Sequence, residues 1–164
     1  MPPPKTPFEA ALATALGLLR ARGRSRLEVA RTLERRGHPP ELVREVVERL
    51  CRLGYLDEVA FARARAAALM RGRMGPDAIR QKLLAHGLES AAVEAAILGA
   101  ASDQDFDPAR AARELLVRRK LSPEGLDPKG RARAARLLAS RGFSEEVVDA
   151  LLGGAMVDPL PEDG

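Results

Sequence analysis

The chain has 164 residues, of which 46% are hydrophobic, so it can bury a core and is long enough for one ordinary domain or a short array of units. Aromatic residues make up only 3% and tryptophan is absent, which leaves Leu, Val, Ile and Ala to build the core and favours packed helices over a β-sandwich or barrel. The formal net charge of +4 comes mainly from arginine and favours a partner rich in phosphates or carboxylates, although a coding bias would explain the number of arginines equally well.

The first 54 residues predict a flexible tail, residues 1–7, followed by a three-helix repeat over residues 8–54. The first helix is expected over Phe8–Arg22, where apolar residues recur at helical spacing. Ser25 and Glu28 have the spacing of a capping box, so a second helix should run from Ser25 to Gly37. A third helix should start near Pro39 and stop at Gly54.

A second repeat is predicted over residues 55–101. Asp57 is the expected cap of a helix that continues through Leu69. Residues 72–75 are expected to form a flexible basic link, and helices should follow over 79–85 and 93–98.

A third repeat is predicted over residues 102–153. The acidic residues Asp103, Asp105 and Asp107 mark the boundary before it, and Asp107 with Pro108 forms a cap and first-turn pair. A connector is expected over 122–130, and helices over 132–138 and 147–152. Residues 154–164 are predicted to be an acidic C-terminal tail.

A helix-ending glycine marks the same point in each repeat. Gly37, Gly87 and Gly142 each precede a short amphipathic helix, and a leucine stands four residues before each of them. A period near 50 residues indicates stacked supersecondary units rather than one globule around a pocket. The predicted fold is therefore all-α: an elongated, curved tandem array of three three-helix repeats.

Positive charge concentrates on the second helix of each repeat. Residues 24–37 hold five basic and two acidic residues, residues 71–87 four and one, and residues 129–142 five and none. The third helices are neutral or acidic. Stacked repeats would align these second helices into a basic ridge, whereas an ordinary solvated surface would scatter the signs. The predicted ridge, a surface for a partner protein or DNA, consists of Arg24, Arg26, Arg31, Arg35, Arg71, Arg73, Arg80, Lys82, Lys129, Arg131 and Arg133.

The sequence lacks the motifs of common catalytic and metal sites. It has no nucleophile elbow, no Walker loop and no paired-cysteine spacing, so we expect no catalytic residue, no metal and no cofactor. The single cysteine, Cys51, excludes an internal disulfide and fits a reducing compartment. No apolar run approaches the roughly 18 residues of a membrane span, so the expected location is the cytoplasm, without membrane contact.

The junction between the first two repeats is the most distinctive segment. Gly54 ends one helix, Tyr55 and Leu56 are expected to fill the joint, Asp57 should cap the next helix, and Phe61 follows on that helix. On residues alone this segment is a structural junction, which shapes the array rather than touching a partner.

With this junction, the chain resembles the RecX family, regulators of the RecA recombinase. The resemblance covers about residues 8–152 and also rests on three other segments: residues 24–28, residues 71–83 and the start of the last helix at residues 141–144. It implies a tandem three-helix-repeat protein that binds the RecA–DNA filament in its groove, depresses ATPase and strand exchange, and promotes disassembly. It places the protein in DNA repair, homologous recombination and the SOS response.

Two hypotheses from other classes remain open. A stand-alone DNA-binding protein of tandem helical repeats would bind without sequence preference, because the chain has two Gln and no Asn for base contacts. Weak, nonspecific binding to single-stranded and also double-stranded DNA is compatible with either role. An enzyme would need a constellation of residues that the sequence does not contain. We expect a monomer.

Overall fold

The computed structural model describes residues 5–153, and all regular structure in that part is helical. This confirms the predicted all-α class. The nine helices of the described residues are α1 Pro7–Ala21, α2 Arg26–Arg35, α3 Pro40–Arg52, α4 Glu58–Arg71, α5 Pro76–Ala85, α6 Ser90–Gln104, α7 Pro108–Arg118, α8 Pro128–Ser140 and α9 Glu145–Leu152. The predicted acidic tail and the first four residues of the predicted N-terminal tail lie outside the described residues.

The described helices group into two compact units. One unit comprises the residues up to 65 together with 82–96, and the other comprises 66–81 together with the residues from 97 onward. The helices α4, α5 and α6 therefore contribute residues to both units.

The first unit has its core between α1, α2 and α3. Val29 and Leu33 of α2 pack with Val46 and Leu50 of α3, and all four side chains are fully buried. Ala11 and Ala15 of α1 complete this cluster. Each buried Leu or Val removes enough apolar surface from water to contribute about 1.5–3 kcal/mol, so these helices are stabilised mainly by packing.

The second unit has a corresponding core between α7, α8 and α9. Leu116 of α7 and Leu138 of α8 are fully buried, and Phe143 and Leu152 close the cluster around α9. Leu121, which follows α7, is also buried in this core and ties the connector to it.

Three predicted details are wrong. The helix α6 continues to Gln104, so the acidic residue Asp103 lies inside a helix rather than at a boundary. The connector in the third repeat ends at Asp127 instead of residue 130, because the Asp127 side chain accepts a hydrogen bond from Gly130 N–H at 2.7 Å and caps α8 early. The Tyr55 side chain is 59% exposed, so Leu56 alone fills the joint.

Candidate partner-binding surface

The predicted ridge residues of α2 divide into exposed and internally bonded side chains. Arg26 and Arg31 are exposed and make no side-chain hydrogen bond or ion pair within the described residues. The guanidinium of Arg24 is half-buried and donates to the Leu18 carbonyl oxygen at 3.3 Å, and Arg35 donates to the Thr32 hydroxyl at 3.2 Å. Arg26 and Arg31 are thus the more accessible cations for a partner.

Two of the four predicted cations of the second repeat are engaged in ion pairs. Arg73 lies 3.0 Å from the Glu114 carboxylate, and Arg80 lies 2.7 Å from Asp77. Arg71 and Lys82 are exposed. Arg71 and Arg73 also line one shallow cleft of the second unit, together with Arg110 of α7.

The third repeat carries three exposed cations that line one cleft. Lys129 and Arg133 line an open cleft of about 620 Å³ on α8, here called the α8 cleft, together with Arg136, which is not among the predicted ridge residues. Arg131 is half-buried and does not line this cleft. None of these four side chains has an ion-pair or hydrogen-bond partner among residues 5–153.

Sequence reasoning missed a second basic segment in the third repeat. Arg118, Arg119 and Lys120 are consecutive and exposed, and they directly precede Leu121 of the α8 cleft. The signal is visible in the sequence as three adjacent cations. It lies outside the second helices on which the predicted ridge is based, because Arg118 ends the first helix of its repeat.

A charged cluster surrounds Glu28 at the start of α2. Arg22 contacts its carboxylate at 2.7 Å, and His86 Nδ1 lies 3.7 Å away. The His86 ring also packs edge-on against Phe61, with 5.2 Å between ring centroids. Burial of Glu28 opposes ionisation, but the hydrogen bonds from Arg22 and Ser25 and the nearby positive charges outweigh it and lower the pKa of Glu28.

The predicted structural junction keeps most of its expected local geometry. Gly54 follows the end of α3, and Asp57 accepts a hydrogen bond from Ala60 N–H at 3.0 Å at the start of α4. Phe61 of α4 is half-buried, with His86 against its ring. These contacts link the junction to the start of α2 through His86 and Glu28.

Other kinds of site find no support in the part of the chain that the structure describes. Within residues 5–153 no group of three or more His, Cys, Asp or Glu side chains is placed to hold a metal ion. None of the described helices is long and apolar enough to cross a membrane. What the structure offers is an exposed basic surface on packed helices.

Comparison with known proteins identifies the family of this three-helix architecture. Residues 11–50 match "RecX, first three-helix domain" and residues 57–97 match "RecX, second three-helix domain". The helical fold and these two matches thus define an all-α protein built from consecutive three-helix domains.

Curated relatives of similar sequence give the same assignment. The chain is 32% identical to the regulatory protein RecX of Pseudomonas entomophila (strain L48), over 86% of this chain and 88% of that protein. It is 40% identical to the regulatory protein RecX of Xanthomonas campestris pv. campestris (strain B100), over 79% of this chain and 77% of that protein. The crystal structure of RecX from Lactobacillus salivarius has the same fold, with a TM-score of 0.72 at 19% identity over 89% of this chain and 94% of that one. The chain belongs to the RecX family of regulatory proteins.

Proposed function

We propose that this protein regulates the RecA recombinase, mainly as an inhibitor. It binds the RecA–DNA filament in its groove, depresses ATPase and strand exchange, and promotes filament disassembly. It acts as a cytoplasmic monomer, with weak and nonspecific affinity for single-stranded and also double-stranded DNA. No catalytic step of its own is part of this proposal.

The observation that supports this proposal most directly is the presence, on the second helix of each predicted repeat, of exposed cations that have no ion-pair partner among residues 5–153. These side chains are Arg26 and Arg31 on α2, Lys82 on α5, and Lys129 and Arg133 on α8. A set of cations repeated along a chain matches a partner whose charges also repeat, such as a protein filament on DNA. Family membership supports a regulatory role.

The test is to titrate the protein into a preformed RecA filament on single-stranded DNA while the ATPase rate is followed. The affinity for the same DNA without RecA is measured in parallel. Inhibition is expected at concentrations well below the dissociation constant for bare DNA, because the filament offers protein contacts in addition to phosphates.

Two results would contradict this role. Inhibition that appears only when bare DNA is saturated would indicate a stand-alone DNA-binding protein that competes for the substrate. An unchanged ATPase rate, at concentrations that saturate the filament in a pull-down, would reject inhibition altogether.

A further inference from the structure

In the second unit, the turn between α8 and α9 packs on the start of α5. Gly75 N–H donates to the Arg141 carbonyl oxygen at 2.8 Å, and Asp77 N–H donates to the Gly142 carbonyl oxygen at 3.1 Å. The Arg141 guanidinium donates to the Gly72 carbonyl oxygen at 2.8 Å. The amides at the start of α5 thus donate to carbonyl oxygens at the end of α8, the corresponding helix of the following repeat. These hydrogen bonds satisfy amides that a helix start leaves unpaired.

The first unit has a similar arrangement, built on side-chain contacts. The turn between α5 and α6 packs on the start of α2, and a Cβ atom added to Gly87 would lie 2.8 Å from Leu27 Cδ2. His86, directly before this glycine, lies 3.7 Å from the Glu28 carboxylate. In both units, therefore, the start of a second helix packs against the turn that follows the second helix of the next repeat.

At the start of α8, the second helix of the third repeat, no turn of another repeat packs in this way within the described residues. Gly130 stands twelve residues before Gly142, as Gly75 does before Gly87. The three atoms nearest to a Cβ added to Gly130 belong to its own neighbours Asp127 and Leu126, and Gly130 lines the open α8 cleft.

The chemistry of this uncovered surface differs from that of its two counterparts. Arg133 stands nine residues before the repeat glycine, where the first two repeats have Glu28 and Ala78. Lys129, Arg133 and Arg136 are spaced by four and three residues, which places all three on one face of the helix. Among the described residues, Asp127 is the one acid that lines the cleft, and its side-chain oxygen accepts a hydrogen bond from Gly130 N–H.

We propose that the α8 cleft binds the phosphate backbone of a nucleic-acid strand, without reading its sequence. The three cations extend over eight residues, or about 10 Å of helix, which is long enough to contact successive phosphates. The open shape lets a strand lie along it, and the half-buried Leu126 and the exposed Ala132 provide apolar surface for sugars and bases. With no Asn or Gln in the cleft, amide pairing to base edges is excluded.

This inference rests on the proposed function and deepens it by assigning DNA contact to the third repeat. Its test distinguishes failure of the DNA site from failure of the regulatory role. We would compare the double variant R133E/R136E with the matched control R44E/R49E, whose arginines are exposed on α3 and are not among the predicted ridge residues. Both variants change the net charge by the same amount. The probe is a fluorescently labelled oligothymidylate without RecA, and circular dichroism checks that both variants keep the wild-type helical content.

We expect R133E/R136E to lower the affinity for the oligothymidylate by about tenfold or more, because two phosphate contacts become repulsive. The control should stay within about threefold of wild type, since it changes only the overall charge. Wild-type affinity in R133E/R136E, or equal losses in both variants, would overturn the proposal.

A parallel titration of the RecA filament separates this proposal from the regulatory one. If R133E/R136E keeps its affinity for the oligothymidylate but loses filament inhibition, the cleft binds an acidic protein surface and the DNA proposal is overturned. If the wild-type protein fails to inhibit RecA while R133E/R136E still loses DNA binding, the regulatory proposal fails and the α8 cleft remains a DNA site.

Discussion

The glycines that mark the repeat have different roles at the level of single residues. Gly142 and Gly37 both have a left-handed backbone, with φ of +82° and +88°. A Cβ on Gly142 would overlap the backbone nitrogen and Cβ of Ala78, whereas a Cβ on Gly37 meets no atom within 4 Å. The sequence marks both positions equally, but only the structure shows that Gly142 also serves close packing.

Substitution of these two glycines by alanine separates backbone strain from packing. We expect G37A to lower the free energy of unfolding by about 1–2 kcal/mol, the cost of a left-handed conformation for a residue with a Cβ. G142A should cost more, about 3 kcal/mol or above, because the turn must also move away from α5. Urea unfolding followed by circular dichroism would measure both, and equal losses in the two variants would contradict the close approach.

At the level of helices, capping residues are the most predictable part of the fold. The capping box of Ser25 and Glu28 is formed as expected, and Asp107 caps α7 through hydrogen bonds from Ala109 and Arg110 N–H. Such signals are local, because a cap needs only a side-chain oxygen within three residues of an amide. The predicted start of α2 and Asp107–Pro108 start of α7 are therefore confirmed.

Features that depend on distant parts of the chain are not predictable in this way. The segment 72–75 is predicted to be a flexible basic link, yet Gly75 is buried and its amide donates to Arg141, while Arg73 pairs with Glu114. Similarly, sequence alone does not show which ridge cations are paired, because the partners of Arg24 and Arg73 lie outside the predicted second helices. The ridge itself stays a prediction.

The start of α2 should make stability depend on pH through Glu28. A lowered pKa in the folded state means that ionised Glu28 stabilises the fold above its unfolded pKa of about 4.3, and that this contribution is lost as pH falls through the lower folded pKa. The variant E28Q keeps a side chain able to cap the helix but removes the charge that Arg22 and His86 face.

We expect E28Q to be less stable than wild type at pH 7, and the difference in unfolding free energy to shrink by pH 3. Urea unfolding at both values would measure this difference. The control is T6A at the start of α1, where an exposed capping box has no His or Arg against its Glu9 within the described residues, so its cost of roughly 1 kcal/mol should vary less with pH. A difference between E28Q and wild type that is the same at both pH values would contradict the ionic role of Glu28.

For the whole molecule, the salt dependence of DNA binding distinguishes a local site from an extended ridge. Each phosphate contact to a single strand contributes about −0.7 to the slope of log affinity against log salt concentration. Contacts from the three cleft cations, Lys129, Arg133 and Arg136, predict a slope of about −2, whereas all eleven predicted ridge residues acting together would give about −8. The pairing of Arg73 and Arg80 with acids of their own chain favours the slope of about −2, because those side chains would have to give up a partner to reach a phosphate.

We therefore expect a slope near −2 for an oligothymidylate titrated at several sodium chloride concentrations. In R133E/R136E the slope should become shallower, about −1 or closer to zero. A wild-type slope near −8 that the variant leaves steep would mean that DNA follows the ridge through all three repeats, and that the α8 cleft is only one contact among many.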